Sequence, residues 1–220
     1  MTLALITLLH VFVLVFWVGG DLGAYYASYA VADPKQPPAA RRLAARLISG
    51  IDMAPRTSLV LAFPTGLTLA AAKGWLDPGP AALAAVWIIA ALWLVVVWTV
   101  HLRDPAPGSL VLQADRALRL GAIAGFAAWG LATVAGLTGW PLFLGVKLLL
   151  LAAAMICGVI IRRVLPPFAQ AFARVLADPA DPAAQAAVAG LLARVRVFVM
   201  GIWIFVSLAA LVGLWRPGIA

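Results

Sequence analysis

The chain has 220 residues, of which 65% are hydrophobic and only 11% charged. A soluble domain of this size could not cover so much apolar surface, so composition implies an integral membrane protein. A formal charge of +8 would suggest nucleic acid in a soluble protein; here it reads as a topology signal, and no Walker loop, G-x-G-x-x-G or metalloprotease motif is present. The single Cys157 excludes an internal disulfide and a Cys-based zinc cluster, and there is no glutamate.

Six stretches are long enough to cross a bilayer at ~20 residues per helix: 3–30, 53–73, 81–101, 117–139, 141–163 and 194–215. The first lacks a basic residue before Lys35 and is too apolar and long for a signal peptide, so it is expected to be a retained span. Helix-stopping residues separate the spans: Asp33-Pro34, Asp77-Pro78-Gly79-Pro80, Asp104-Pro105, Gly139-Trp140-Pro141 and Pro166-Pro167. Residues 168–190, broken by Asp178-Pro179 and Asp181-Pro182, predict two interfacial helical pieces that merge into the last span. The expected fold is an all-α polytopic membrane bundle, one transmembrane domain over residues 1–220.

The basic residues choose a side. Thirteen, from Lys35, Arg41 and Arg42 to Arg194 and Arg196, flank the loops after spans one, three and five, and only Lys73 and Arg216 flank the opposite face. The positive-inside rule then puts both termini outside, and Trp75, Trp140 and Trp215 form an outer aromatic belt. The expected location is a bacterial inner membrane.

Two polar residues stand at membrane depth. His10 lies roughly 13 Å from the outer end of span one, and Lys147 roughly 10 Å inside Trp140, at 1.5 Å per residue. An ammonium in hydrocarbon is costly, so Lys147 should face the bundle interior; at that depth it exceeds comfortable snorkelling reach. His10, Trp17, Asp21 and Ser28 fall within about 20° of one line along span one, a stripe that should face protein. Arg56 lies at the depth of Asp21, and the two are expected to pair. Gly19, Gly20 and Gly23 permit close helix approach. Pro64-Thr65-Gly66 should kink span two near His10 and open room. His10 has three readings: a histidine bonded to a neighbouring carbonyl, a haem ligand or a proton relay. Met53, Met155 and Cys157 are soft ligands by chemistry and core by base expectation. His101 reads as interfacial.

These residues resemble a family. Leu9-His10 with Trp17 and Gly20, Arg41-Arg42-Leu43, Met53-Ala54-Pro55 with Gly66-Leu67-Thr68-Leu69-Ala70, Leu144-Gly145-Val146-Lys147-Leu148-Leu149, and Trp215-Arg216-Pro217 resemble motifs of the HemJ-type protoporphyrinogen oxidases and related CopD-like membrane proteins. The likeness covers about 1–73 and 140–217 and makes 81–139 an inserted hairpin in a four-helix plan. It implies that His10 matches the family's essential histidine, a proposed haem ligand, and Lys147 its essential lysine. Gly145 stands where the family has histidine, Ala40 where it has an acidic residue, and Cys157 near a second family histidine.

The sequence therefore leads to a haem b- or porphyrin-binding membrane protein with a redox role. His10 would be metal ligand and catalytic residue, Lys147 would hold a propionate or relay protons, and Trp17, Met53 and Arg42 would complete the cofactor site. Membrane lipid, a porphyrin or quinone and a second copy of the chain are the expected partners, and nucleic acid is not. A small-solute or copper-type transporter and a membrane-complex assembly subunit are the alternatives.

Overall fold

The computed structural model describes residues 1–216; Pro217 of the terminal motif lies outside the described residues. Eight helices account for the fold: α1 (Thr2–Ala32), α2 (Pro38–Ile51), α3 (Met53–Ala72), α4 (Gly79–Arg103), α5 (Leu110–Val134), α6 (Leu142–Val164), α7 (Phe168–Ala177) and α8 (Pro182–Trp215). There is no strand among the described residues. Helices α1, α4, α5, α6 and α8 are each long and apolar enough to cross a membrane. Helix α3 is the sixth long helix and carries Arg56, Ser58, Pro64, Thr65 and Thr68. The protein is thus an all-α, multi-pass membrane bundle.

The six long helices close a ring in the order α1, α3, α4, α5, α6, α8, with α8 back against α1. Two apolar clusters fill it. Val13 and Trp17 of α1 meet Ala154 and Cys157 of α6 and Ile202 and Val206 of α8. Met53 and Val60 of α3 meet Ala90, Trp93 and Val97 of α4 and Met155 of α6. The α4–α5 hairpin therefore packs on the outside of the α3–α6 side, and α1, α3, α6 and α8 surround a common centre.

The predicted stripe on α1 faces inward: Trp17, Asp21 and Ser28 are 4%, 7% and 6% exposed. Its neighbour α3 runs antiparallel to it. A Cβ on Gly20 would sit 2.6 Å from the Pro55 side chain, and one on Gly66 would sit 3.1 Å from His10 Cε1. Gly20 leaves no room for a side chain against Pro55, and Gly66 lets the His10 ring come close to the α3 backbone.

Two ends of the bundle differ in chemistry. At the arginine end, Val31, Ala44, Phe172, Val175, Ala184, Val188 and Leu192 form a third cluster that joins the end of α1 to α2, α7 and the start of α8. Arg41 is 1% exposed in this cap. Its Nε donates to the Val31 carbonyl at 2.8 Å, capping one of the free acceptors at the end of α1. At the tryptophan end lie Trp75 and Trp140, the start of α1 and the end of α8.

Residues 168–190 form two helical pieces, the second merging into the last span: α7 is one, and the chain from Pro182 onward is already α8, a single 34-residue helix. At 1.5 Å per residue it is roughly 51 Å long, well beyond a ~30 Å hydrocarbon core. The reason is local: Asp181 accepts from Ala183 and Ala184 N–H at 2.9 and 3.0 Å, and Pro182 occupies the first helical position. Helix α5 starts at Leu110, seven positions before the span expected at 117, because Asp115 and Arg119 pair along it at 3.0 Å. It also ends earlier, since Gly136 at φ 76° receives the chain in the left-handed region and its N–H donates to the Thr133 carbonyl at 3.0 Å. Helix α2, read as part of a loop, is formed.

The Ala184 N–H, with the Arg174 guanidinium, holds the Asp181 carboxyl below the usual carboxylate range. A depressed folded-state value means that the cap contributes stability above the unfolded carboxylate pKa of about 4 and loses it as pH falls through the lower folded value. Asp181→Ala should therefore accelerate amide exchange in the first turn of α8 at neutral pH and remove that turn's extra opening on acidification. Unchanged exchange in peptides spanning 182–188 would contradict the cap.

Candidate functional site

A cavity of about 370 Å³ opens among α1, α3, α6 and α8 on the tryptophan side of the bundle. Its polar lining is sparse: His10 and Thr7 from α1, Lys73 at the end of α3 and Lys147 from α6. Trp17, Phe63, Trp75, Trp140 and Phe143 supply most of its aromatic wall. The structure thus brings His10, Lys147 and Trp17 to one cavity, as their shared depth and face predict.

His10 is fixed by α3. Its Nδ1 lies 2.9 Å from Thr65 Oγ1. The Thr65 hydroxyl has one proton, and it donates that to the Leu61 carbonyl at 2.6 Å. Toward His10 the hydroxyl must therefore accept, so Nδ1 carries the proton. Nε2 is then the nitrogen whose lone pair is free in the neutral ring, the arrangement seen when an imidazole binds a metal through one nitrogen and is oriented through the other. Pro64 contributes as well. It has no N–H to donate back along the helix, and the Thr65 and Thr68 hydroxyls on either side of the next turn bond the Leu61 and Pro64 carbonyls at 2.6 and 2.7 Å. Helix α3 stays continuous through this proline.

Lys147 makes no hydrogen bond or ion pair among the described residues. Its ammonium lies against α8 at Gly213, where a Cβ would come within 2.5 Å of Nζ. Side chains lean toward the N-terminus of their helix, and for α6 that is the tryptophan end. The ammonium therefore reaches one turn from its own Cα toward the mouth while remaining inside the lining. A cation surrounded by apolar walls and without a counter-charge is costly, which favours an anionic occupant.

The other sequence candidates lie elsewhere. Met53 is 4% exposed and packs with Trp93 and Met155 at the arginine half, away from the cavity lining. Arg42 is exposed on α2 at the arginine end. His101 sits in the last turn of α4 beside Trp98, with ring centroids 6.2 Å apart. Cys157 is core, packed against Gly201 of α8. The expected Asp21–Arg56 pair is absent: Arg56 pairs with Asp52, one turn earlier on the same face of the chain. Asp21 is buried, and its Oδ2 has no partner.

Sequence reasoning missed Gly213 and the role of Thr65. It also left Gly145 unexplained. A Cβ on Gly145 would lie 2.7 Å from Thr133 Cβ and 3.0 Å from the Gly130 carbonyl, and one on Gly130 would lie 2.9 Å from the Gly145 carbonyl. Position 145 is where α5 touches α6 backbone to backbone. Its side chain direction is not the cavity's, so a histidine here has neither room nor a route to Lys147. Gly130 of α5 and Gly145 of α6 are thus two sides of one packing contact.

No family model matches the chain, and neither a curated protein nor a solved structure matches it.

Gly145→Ala should lower stability by ~1–3 kcal/mol, as over-packing does, and Gly145→His should not yield a folded bundle. Thermal unfolding in detergent measures the first and gel filtration the second. A stable, monodisperse Gly145→His protein would show that α5 and α6 are not in close contact.

Proposed function

We propose that the protein binds a haem-like macrocycle in the cavity among α1, α3, α6 and α8 and serves a redox role in a bacterial cytoplasmic membrane. The observation that carries this reading is the His10–Thr65 bond: it leaves Nε2 as the free imidazole nitrogen in an otherwise apolar, aromatic-walled cavity. The donor set fits such a group in two respects. His10 would hold the iron through Nε2, and the unpaired Lys147 ammonium would meet an acidic substituent on the ring edge. The fit is to one protein ligand rather than two, since the only other histidine, His101, lies at the end of α4 away from the lining. When bound, haem would supply one-electron chemistry. The chain's own residues would orient it and keep water from it.

The resemblance to HemJ-type and CopD-like proteins supports the same two residues. Specific porphyrinogen oxidation does not follow from them. A small-solute transporter gains less support, because Val13, Trp17, Ala154, Cys157, Ile202 and Val206 pack together below the cavity. That plug favours a site open at one end over a conducting path.

The purified protein should give a Soret band and a reduced-minus-oxidised difference spectrum, both lost in His10→Ala. Thr65→Val, which removes the acceptor for Nδ1–H, should weaken haem retention roughly 10- to 100-fold. No Soret band, or one unchanged in His10→Ala, overturns ligation by that residue.

A further inference from the structure

The charges flanking the tryptophan side are few, and two of the cations converge. Lys73 Nζ lies 4.9 Å from the centre of the Trp75 ring, and the Arg216 guanidinium lies 5.7 Å from the same ring. Both are exposed, and neither forms an ion pair among the described residues. Trp75 in turn meets Phe143 edge-on, with centroids 5.2 Å apart. Phe143 lies one turn above Lys147 on α6, and Gly213, against which the Lys147 ammonium rests, is three residues before Arg216. Lys73 at the end of α3 and Arg216 at the end of α8 therefore meet at Trp75, a lining residue of the same cavity that Lys147 enters from α6. The nearest carboxylate in the sequence, Asp77, is turned to its own loop, accepting from the Gly79 N–H at 3.0 Å.

Like charges do not gather without a reason. Trp75 stabilises Lys73 and Arg216 through its ring face. It does nothing for Lys147. Behind the cations the wall is apolar, with Leu144, Leu148, Leu151 and Val206 among its lining. A cationic rim over an apolar interior matches a ligand with an anionic head and a hydrophobic body. The positive-inside distribution sharpens the point: almost every other basic residue flanks the far side, whereas Lys73 lines the cavity and Arg216 lies beside its lining residue Trp75.

We propose that Lys73, Trp75 and Arg216 form an anion-selective mouth through which an amphiphilic carboxylate enters the cavity, its head held by the two cations and the Lys147 ammonium and its body by the apolar wall. The inference rests on the cavity being a ligand site, and not on the ligand being a macrocycle.

The test uses the full chain in phosphatidylcholine nanodiscs and follows quenching of tryptophan fluorescence, since Trp17, Trp75 and Trp140 line the cavity. Two probe pairs are titrated: an iron-free dicarboxylate porphyrin with its dimethyl ester, and a conjugated long-chain fatty acid with its methyl ester. Acids should bind about tenfold tighter than their esters, with the preference reduced by salt. In K73Q/R216Q the acids should lose about that factor and the esters should not change; K73R/R216K, which keeps the charges, should retain the preference and reports on folding. Equal binding of acid and ester, or a preference that survives in K73Q/R216Q, overturns the mouth. If only the fatty-acid pair shows the preference, the mouth stands and the macrocycle reading fails. If the porphyrins bind without it, the macrocycle reading stands and the mouth fails. Phosphatidylglycerol that competes with the acids in the native protein, but not in K73Q/R216Q, would identify a lipid head group as an occupant and support the same site.

Discussion

Two glycines, one from each helix, set the α1–α3 interface on which the rest of the site depends. Gly20 of α1 admits Pro55, and Gly66 of α3 admits the His10 ring. They lie at opposite ends of the shared surface and so fix both the separation and the register of the antiparallel pair. With that register His10 meets Thr65; one residue of slip would turn it about 100° away. The polar character of α3 follows from the same contact. Thr65, Thr68 and Ser58 would be costly against lipid, but here they satisfy backbone carbonyls or lie inside the bundle.

The cavity arises from what the ring of helices leaves unfilled. The α4–α5 hairpin braces α3 and α6 from outside through Trp93 and the Gly130–Gly145 contact. The arginine-end cap, with Arg41 tied to the last turn of α1, holds α1 against α2 and α8. Between them the lower core is packed, and the cavity lies toward the tryptophan end. Lys147 is tolerated there because its flexible stem lies along the wall and its head leans toward the mouth. The site thus combines a rigid group and a mobile one: an imidazole oriented by a buried hydroxyl, and an ammonium free to meet an anion.

Much of this was legible in the sequence, for physical reasons. Long apolar runs and their Asp-Pro and Gly-Pro breaks announce helices in a bilayer, and loop arginines give their order. The depth of His10 and Lys147 follows from counting residues along spans, and the inward stripe of Trp17, Asp21 and Ser28 follows from helical periodicity. Pairings across helices were less accessible. Asp52 falls just outside the span expected at 53–73, so its place one turn before Arg56 carries no signal, whereas Asp21 lies at the arginine's depth. Thr65 read as part of a proline kink because nothing in a single sequence marks which hydroxyl faces which histidine. Gly145 and Gly213 carry no side chain to signal a role; only the neighbouring helix reveals why each must be small. The mouth was hidden in plain composition, since Lys73 and Arg216 are 143 positions apart and meet only at Trp75.

The site rests on Thr65 holding His10, a residue of the cavity lining, as the Nδ1–H tautomer with Nε2 left unbonded. Nitrogen-15 NMR of imidazole-labelled protein in lipid tests it directly, because the chain has two histidines and His10→Ala assigns the signals. The account predicts a protonated Nδ1 and an unprotonated Nε2 for neutral His10, with a shift of that pattern in Thr65→Val. An Nε2–H tautomer, or a pattern indifferent to Thr65→Val, would contradict it.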